Sequence, residues 1–333
     1  MSGGARWALW VGMACACGGS EVTPAGAPTR PVEAAAGLSG NLVFTGACDA
    51  SGAVWLGGSR VAIADDEDNA LRVYDLAAPG PPIATIDTRS AMADARGKHP
   101  EMDLEAAARI GDRVYWLASH GRKKSGKRAP SRLRVFATDV TADGQLAFVG
   151  TPYSHLVEDL SALPGLELAA AAALSPREEG GLNIEGLSTT GAGELLLGFR
   201  SPVRSGRTLI VPIANPSAMV ERGERARLGA PIELDLGGRG VRAMEWDGRE
   251  HWIVAGGTGA RTLAPRLYRW DGRGPARLVD GVRFGDLNPE ALARVGNRML
   301  VLSDDGERRM GGGIACKKLE DRAARRFRGA WLR

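Results

Sequence analysis

One pattern recurs five times along this chain, and it leaves few folds open. Each copy has two short apolar runs around a turn signal, which reads as a β-hairpin. Four copies carry a glutamate near the start of the first run: Glu105 before residues 114–117, Glu185 before 195–197, Glu245 before 252–254 and Glu290 before 299–302. An earlier copy has Ser51 at that position, before residues 61–63. A third apolar run follows each hairpin, at residues 71–74, 133–136, 208–211, 266–270 and 313–317. A fourth usually follows, at 83–86, 146–149, 232–236 and 276–279. Four short antiparallel strands repeated about every 55 residues define an all-β fold, a β-propeller of five countable blades.

The glutamate position moves from 51 to 105, 185, 245 and 290, and the step of 80 residues is the outlier. Its excess lies in residues 153–181, where an alanine run among leucines reads as a helical insertion. Six blades result if that insertion conceals strands. An open sandwich or two small β-domains would leave five in-phase hairpins unexplained. A strand at residues 41–45 can complete the last blade, which would bring Cys48 close to Cys316 and allow a disulfide to clasp the ring. Two buried thiols remain the alternative.

With 333 residues, 44% hydrophobic and 25% charged, the chain can bury a large core. The 43 Lys and Arg are interspersed with 39 Asp and Glu, so the net charge of +4 gives no reason to expect nucleic-acid binding. Arg6 precedes an apolar stretch at residues 7–17, too short to span a bilayer but suited to a signal peptide. Residues 18–37 then read as a flexible linker and residues 38–333 as one propeller domain. The small residues around Cys15 and Cys17 resemble a lipoprotein cleavage site, with a plainly cleaved signal or an uncleaved N-terminus as alternatives. The expectation is a monomer exported to the periplasm or cell envelope, touching the membrane only through a lipid on Cys15 or Cys17.

In a hairpin, the start of the first strand and the end of the second lie at the same end. Fifteen residues after each glutamate position stand Asp66, His120, Arg200 and Asp305, while Glu245 leads to the Gly256-Gly257 region. These residues should converge on one face near the central channel. Glu105, Glu185, Glu290 and His120 are the candidate catalytic groups, and Asp65, Asp66, Asp103, Asp304 and Asp305 are candidate oxygen donors for a hard cation such as Ca²⁺. Arg122, Arg200, Arg239, Arg242 and Glu245 are candidate ligand contacts, the arginines for an anion. Inner-strand glutamates can equally serve the scaffold by bonding the neighbouring blade. The basic loop at 121–128 reads first as a solvated hairpin tip. No nucleophile elbow, phosphate-binding glycine loop or zinc-ligand spacing occurs.

Several segments resemble a bacterial family of uncharacterised function that is similar to the propellers named for the esterase-like activity of phytase. They are Ala64-Asp65-Asp66-Glu67-Asp68-Asn69, Asp103-Leu104-Glu105-Ala106-Ala107, Ser119-His120-Gly121-Arg122, Asn183-Ile184-Glu185-Gly186-Leu187, Gly198-Phe199-Arg200, Gly238-Arg239-Gly240, Asn288-Pro289-Glu290-Ala291 and Leu302-Ser303-Asp304-Asp305-Gly306. The resemblance runs from about residue 38 to 318. It implies a propeller and, by analogy of fold alone, phosphoester cleavage. Two functions follow as expectations: a metal-assisted hydrolase of a small anionic substrate, or a non-catalytic propeller that binds a ligand or partner on the same face.

Overall fold

The computed structural model describes residue 1, residues 37–89 and residues 101–333. The expected signal, its lipidation candidates Cys15 and Cys17, and residues 18–36 of the linker lie outside the described residues. The chain divides into a short unit, Met1–Val32, and a compact unit, Glu33–Arg333, which contains the five sheets of the described residues.

Strand β1 (Leu38–Thr45) comes first in the chain but belongs to the last sheet. The first blade is β2 (Gly52–Gly57), β3 (Arg60–Ala64), β4 (Ala70–Asp75) and β5 (Ala84–Asp87). The second is β6 (Leu104–Ile110), β7 (Arg113–Ala118), β8 (Val135–Val140) and β9 (Leu146–Tyr153). Next come β10 (Asn183–Thr189), β11 (Leu195–Arg204), β12 (Arg207–Ile213) and β13 (Ile232–Asp235). The fourth blade is β14 (Gly240–Trp246), β15 (His251–Gly256), β16 (Arg266–Trp270) and β17 (Arg277–Leu278). The fifth has β18 (Pro289–Val295), β19 (Arg298–Ser303) and β20 (Arg326–Leu332), with β1 paired antiparallel to β20 at its outer edge.

The first strands of the five blades touch in a closed cycle: β2 meets β6, β6 meets β10, β10 meets β14, β14 meets β18, and β18 returns to β2. That cycle makes the molecule a five-bladed propeller, with the cores packed between successive blades. The hairpin tips follow from their sequences. Gly111 and Gly296 turn the β6–β7 and β18–β19 corners at φ 63° and 59°, a region glycine enters without steric cost.

Beyond Tyr153, the last residue of β9, no strand lies in the 153–181 insertion, which forms helices α1 (Leu156–Ser161) and α2 (Leu168–Ala171), so the count is five rather than six. Leu156, Leu160 and Leu168 bury against the core between the second and third blades.

One expectation about the fifth blade is corrected. Residues 313–317 form no strand, because this glycine-rich stretch coils into 3-10 turns at Gly311–Gly313 and Cys316–Lys318. The third strand is β20, whose Phe327 packs into the core on one side of the blade while Ala330 and Leu332 pack into the core on the other. Closure is packed as well as hydrogen-bonded: Phe44 of β1 stacks on Phe327 at 5.0 Å, and Tyr74 meets both rings edge-on. Cys48, just beyond β1, is joined to Cys316 by a disulfide with Cα atoms 5.7 Å apart. Among the described residues no helix is long and apolar enough to cross a membrane.

Candidate functional site

The inner strands share a device at one end. Register slips between Leu104 and Ala106, between Ile184 and Gly186, and between Pro289 and Ala291, so Glu105, Glu185 and Glu290 are each bulged out of their ladder. A bulge frees one residue from pairing and re-aims its side chain. All three side chains line one cavity of about 310 Å³.

The fourth blade has the same bulge between Val241 and Ala243, and the residue in it is Arg242. Glu245, aligned with the other glutamates from the sequence, therefore occupies a different position. It pairs with Trp252 and lies beside Arg109 and Arg294 at a second, separate cavity. The sequence alignment was out of phase by the three residues between 242 and 245, and the failure of Glu245 to keep the fifteen-residue spacing was the signal. In the first blade the ladder runs unbroken from Gly52 to Trp55. Ser51 does not line the main cavity. Its hydroxyl donates to Asp49 Oδ1 at 3.0 Å, and Asp49 supplies the carboxylate.

Two groups of charges make up the interior. In the first, Arg242 Nε lies 3.1 Å from Glu185 Oε2, while its Nη2 meets Glu290. Arg200 also pairs with Glu185 and donates to Gly257 O at 3.1 Å, and Asn183 Nδ2 donates to Glu185 Oε1 at 2.7 Å. In the second, Asp49, Glu290 and Asp304 each offer an oxygen within 4.8 Å of the others. Asn288 Nδ2 donates to Asp304 Oδ2 at 2.9 Å and holds that carboxylate toward the cluster.

Electrostatics set the carboxyls apart. Burial, reinforced by repulsion from Asp304 and Asp66, pushes Asp49 well above the usual carboxylate range. Burial lifts Asp66 to about 7. Asp103 also reaches about 7 through burial, although Arg132 at 2.7 Å opposes the shift. Glu105 is raised well above its ordinary value by burial and then by Glu185 and Asp103. Among the described residues it has no hydrogen-bond or ion-pair partner, and it lines the cavity.

Several candidates lie elsewhere. His120, in the left-handed region at φ 56°, turns its Nδ1 to Ala118 O at 2.6 Å, and burial lowers its pKa to about 4, so it is neutral. It belongs to a smaller cavity between the 121–128 loop and the insertion. Arg122 donates to Ala172 O and Gly126 O, and Arg239 to Ala264 O and Gly237 O, so both tie backbone segments together and neither lines the main cavity. Asp65 accepts from Glu67 N at 2.9 Å and lies 3.7 Å from Arg72. Asp305 is held by Arg328 at 2.7 and 2.8 Å. These two aspartates are fixed by the scaffold. Asp49, Arg132, Asn183, Asn288 and Lys317 line the cavity and were not candidates from the sequence.

Fold and cavity together define a five-bladed propeller with a carboxylate-rich centre at one mouth of its channel. A family model described as "Protein of unknown function (DUF3616)" matches residues 155–284. No curated protein matches the sequence. Among solved structures, the chain is similar to the glutaminyl cyclase of Myxococcus xanthus, with 11% identity and a TM-score of 0.46 over 90% of this chain and 97% of that one. It is also similar to a PQQ-bound aldose sugar dehydrogenase from Streptomyces coelicolor, with 11% identity and a TM-score of 0.40 over 88% and 98%. A streptogramin B lyase is similar at 10% identity and a TM-score of 0.38, over 87% and 96%.

Proposed function

We propose that this chain is an exported, cation-dependent hydrolase of small anionic esters, tethered to the cell envelope by a lipid on Cys15 or Cys17. The reading rests on the carboxylate trio of Asp49, Glu290 and Asp304. Three carboxylate oxygens this close, Asp49 buried and the other two partly so, repel one another, and a hard cation such as Ca²⁺ removes that repulsion while gaining oxygen ligands. Bound there, Ca²⁺ would polarise a substrate oxygen. Glu105 is the group suited to general-acid work: it faces the cavity, has no hydrogen-bond or ion-pair partner among the described residues, and burial raises its pKa well above the ordinary carboxylate range. As water adds to the acyl or phosphoryl centre and the ester bond breaks, the Glu105 proton passes to the leaving oxygen, and the proton lost by water restores the acid.

One observation favours a second reading, a propeller that binds without turnover. Glu185 and Glu290, both catalytic candidates from the sequence, are committed to Arg200 and Arg242. Assay of the purified protein against phosphoesters and carboxyl esters, with Ca²⁺ and with chelator, separates the two. Hydrolysis that requires the cation and is lost in Glu105→Gln supports the hydrolase. Ligand binding with no product from any ester supports the binding propeller.

A further inference from the structure

The arginines that line the interior of the cavity are already spent. Arg132 pairs with Asp103 and Glu101, Arg200 with Glu185, and Arg242 with Glu185 and Glu290. Lys317 is shared between Glu67 at 3.2 Å and Glu307 at 2.7 Å. Two further cations line the same cavity, Lys124 and Arg177, and neither has an ion-pair partner among the described residues. They come from different parts of the sequence, the 121–128 loop and the end of the helical insertion.

These two segments are fixed to each other and to the ring. Ser175, itself buried, donates its hydroxyl to Lys124 O at 3.2 Å and accepts from Arg177 N at 3.3 Å. Arg122 Nε reaches across to Ala172 O at 2.9 Å. On the far side, Gly259 of the fourth blade packs so tightly under Pro176 that a Cβ there would fall 1.7 Å from Pro176 O. Lys124 and Arg177 are therefore carried on a braced rim over the cavity.

We infer that Lys124 and Arg177 hold the anionic group of the substrate, and that this group is a phosphate monoester. The inference rests on the cation-dependent reading above and names its substrate class. Glu105 aside, the cavity wall carries eight carboxylates against six cations, so while these are ionised an incoming dianion is repelled unless a divalent cation sits among them. With that cation in place, the two uncommitted side chains supply the remaining positive charge: Arg177 as a planar fork suited to two phosphate oxygens, Lys124 as a point charge. The cation then binds first, and the anion binds to the loaded site.

Calorimetric titration of the full-length protein with Ca²⁺, and then of the Ca²⁺-loaded protein with phenylphosphonate, which resists hydrolysis, tests the assignment. The double variant Lys124→Ser/Arg177→Ser should lose at least about tenfold in phenylphosphonate affinity, roughly 1.4 kcal/mol, with Ca²⁺ affinity changed less than about threefold. The variant Lys124→Arg/Arg177→Lys should recover most of it. Arg207→Ser/Arg222→Ser, an equal change in net charge at exposed positions, should leave phenylphosphonate binding within about twofold. Unchanged phenylphosphonate affinity in the Lys124/Arg177 double variant overturns the inference while leaving the cation reading in place. A wild type that takes up no Ca²⁺ but loses phenylphosphonate in that double variant keeps the rim and rejects the cation.

Discussion

Arg242 and Glu185 occupy the same bulged position in neighbouring blades, and their side chains meet across the channel with Nε 3.1 Å from Oε2. Glu290, at the equivalent place in the fifth blade, takes the other side of the same guanidinium. A single basic residue in a ring of acidic bulges thus neutralises its two neighbours and ties three blades together.

Arg242→Met should destabilise the fold by about 3–5 kcal/mol, because it leaves two buried carboxylates short of a partner. Adding Glu185→Gln and Glu290→Gln should recover much of that loss. Chemical denaturation of the single and triple variants checks both expectations, and a triple variant no more stable than the single one contradicts the account.

The Cys48–Cys316 disulfide joins two residues 268 positions apart in the sequence and so closes a long loop. Cys48→Ala/Cys316→Ala should cost about 2–5 kcal/mol by releasing the unfolded chain. Mass spectrometry under non-reducing conditions should find the two peptides linked. Free thiols at both positions in exported protein would count against the clasp.

The ring was legible in the sequence because each blade repeats the same two-residue alternation and turn chemistry, and those are local signals. The bulges were not, since a bulge is a property of how two strands pair. Arg242 reads from the sequence as an anion contact outside the repeat, and Glu245 takes its place in the alignment. Asp49 escaped for a related reason: the first blade lacks the bulge and supplies its carboxylate from the segment before β2. Lys124 read as a solvated tip because nothing local reveals that Ser175 anchors its loop over the cavity.

Glu245, at the other mouth of the channel, gives a pH prediction. Burial lifts its pKa to about 8, against an opposing pull from Arg294. Because the folded pKa lies above the unfolded one, its contribution is fully present below about pH 4.5 and is lost as pH rises toward 8. Glu245→Gln should therefore gain on the wild type by roughly 3 kcal/mol between pH 5 and pH 8. Melting curves across that range check it, and a difference that is flat or falls with pH contradicts it.

The proposed envelope tether predicts that labelled palmitate enters the protein in cells, and that changing Cys15 and Cys17 to Ser abolishes incorporation and releases soluble protein or an uncleaved precursor. Incorporation that survives the double change rules out lipidation at these cysteines.

The central claim is that the trio of Asp49, Glu290 and Asp304 is a cation site, and melting with and without Ca²⁺ tests it most directly. A ligand that binds only the folded state, at about a hundredfold over its Kd, adds roughly 2.7 kcal/mol. The wild type should accordingly melt roughly 4–8 °C higher with Ca²⁺. Asp49→Asn and Asp304→Asn should fold but lose that shift, while Glu245→Gln should keep it. A wild type whose melting temperature is unmoved by Ca²⁺, together with a lower melting temperature in Glu185→Gln, would mean that the converging carboxylates are architecture and that the proposed site does not exist.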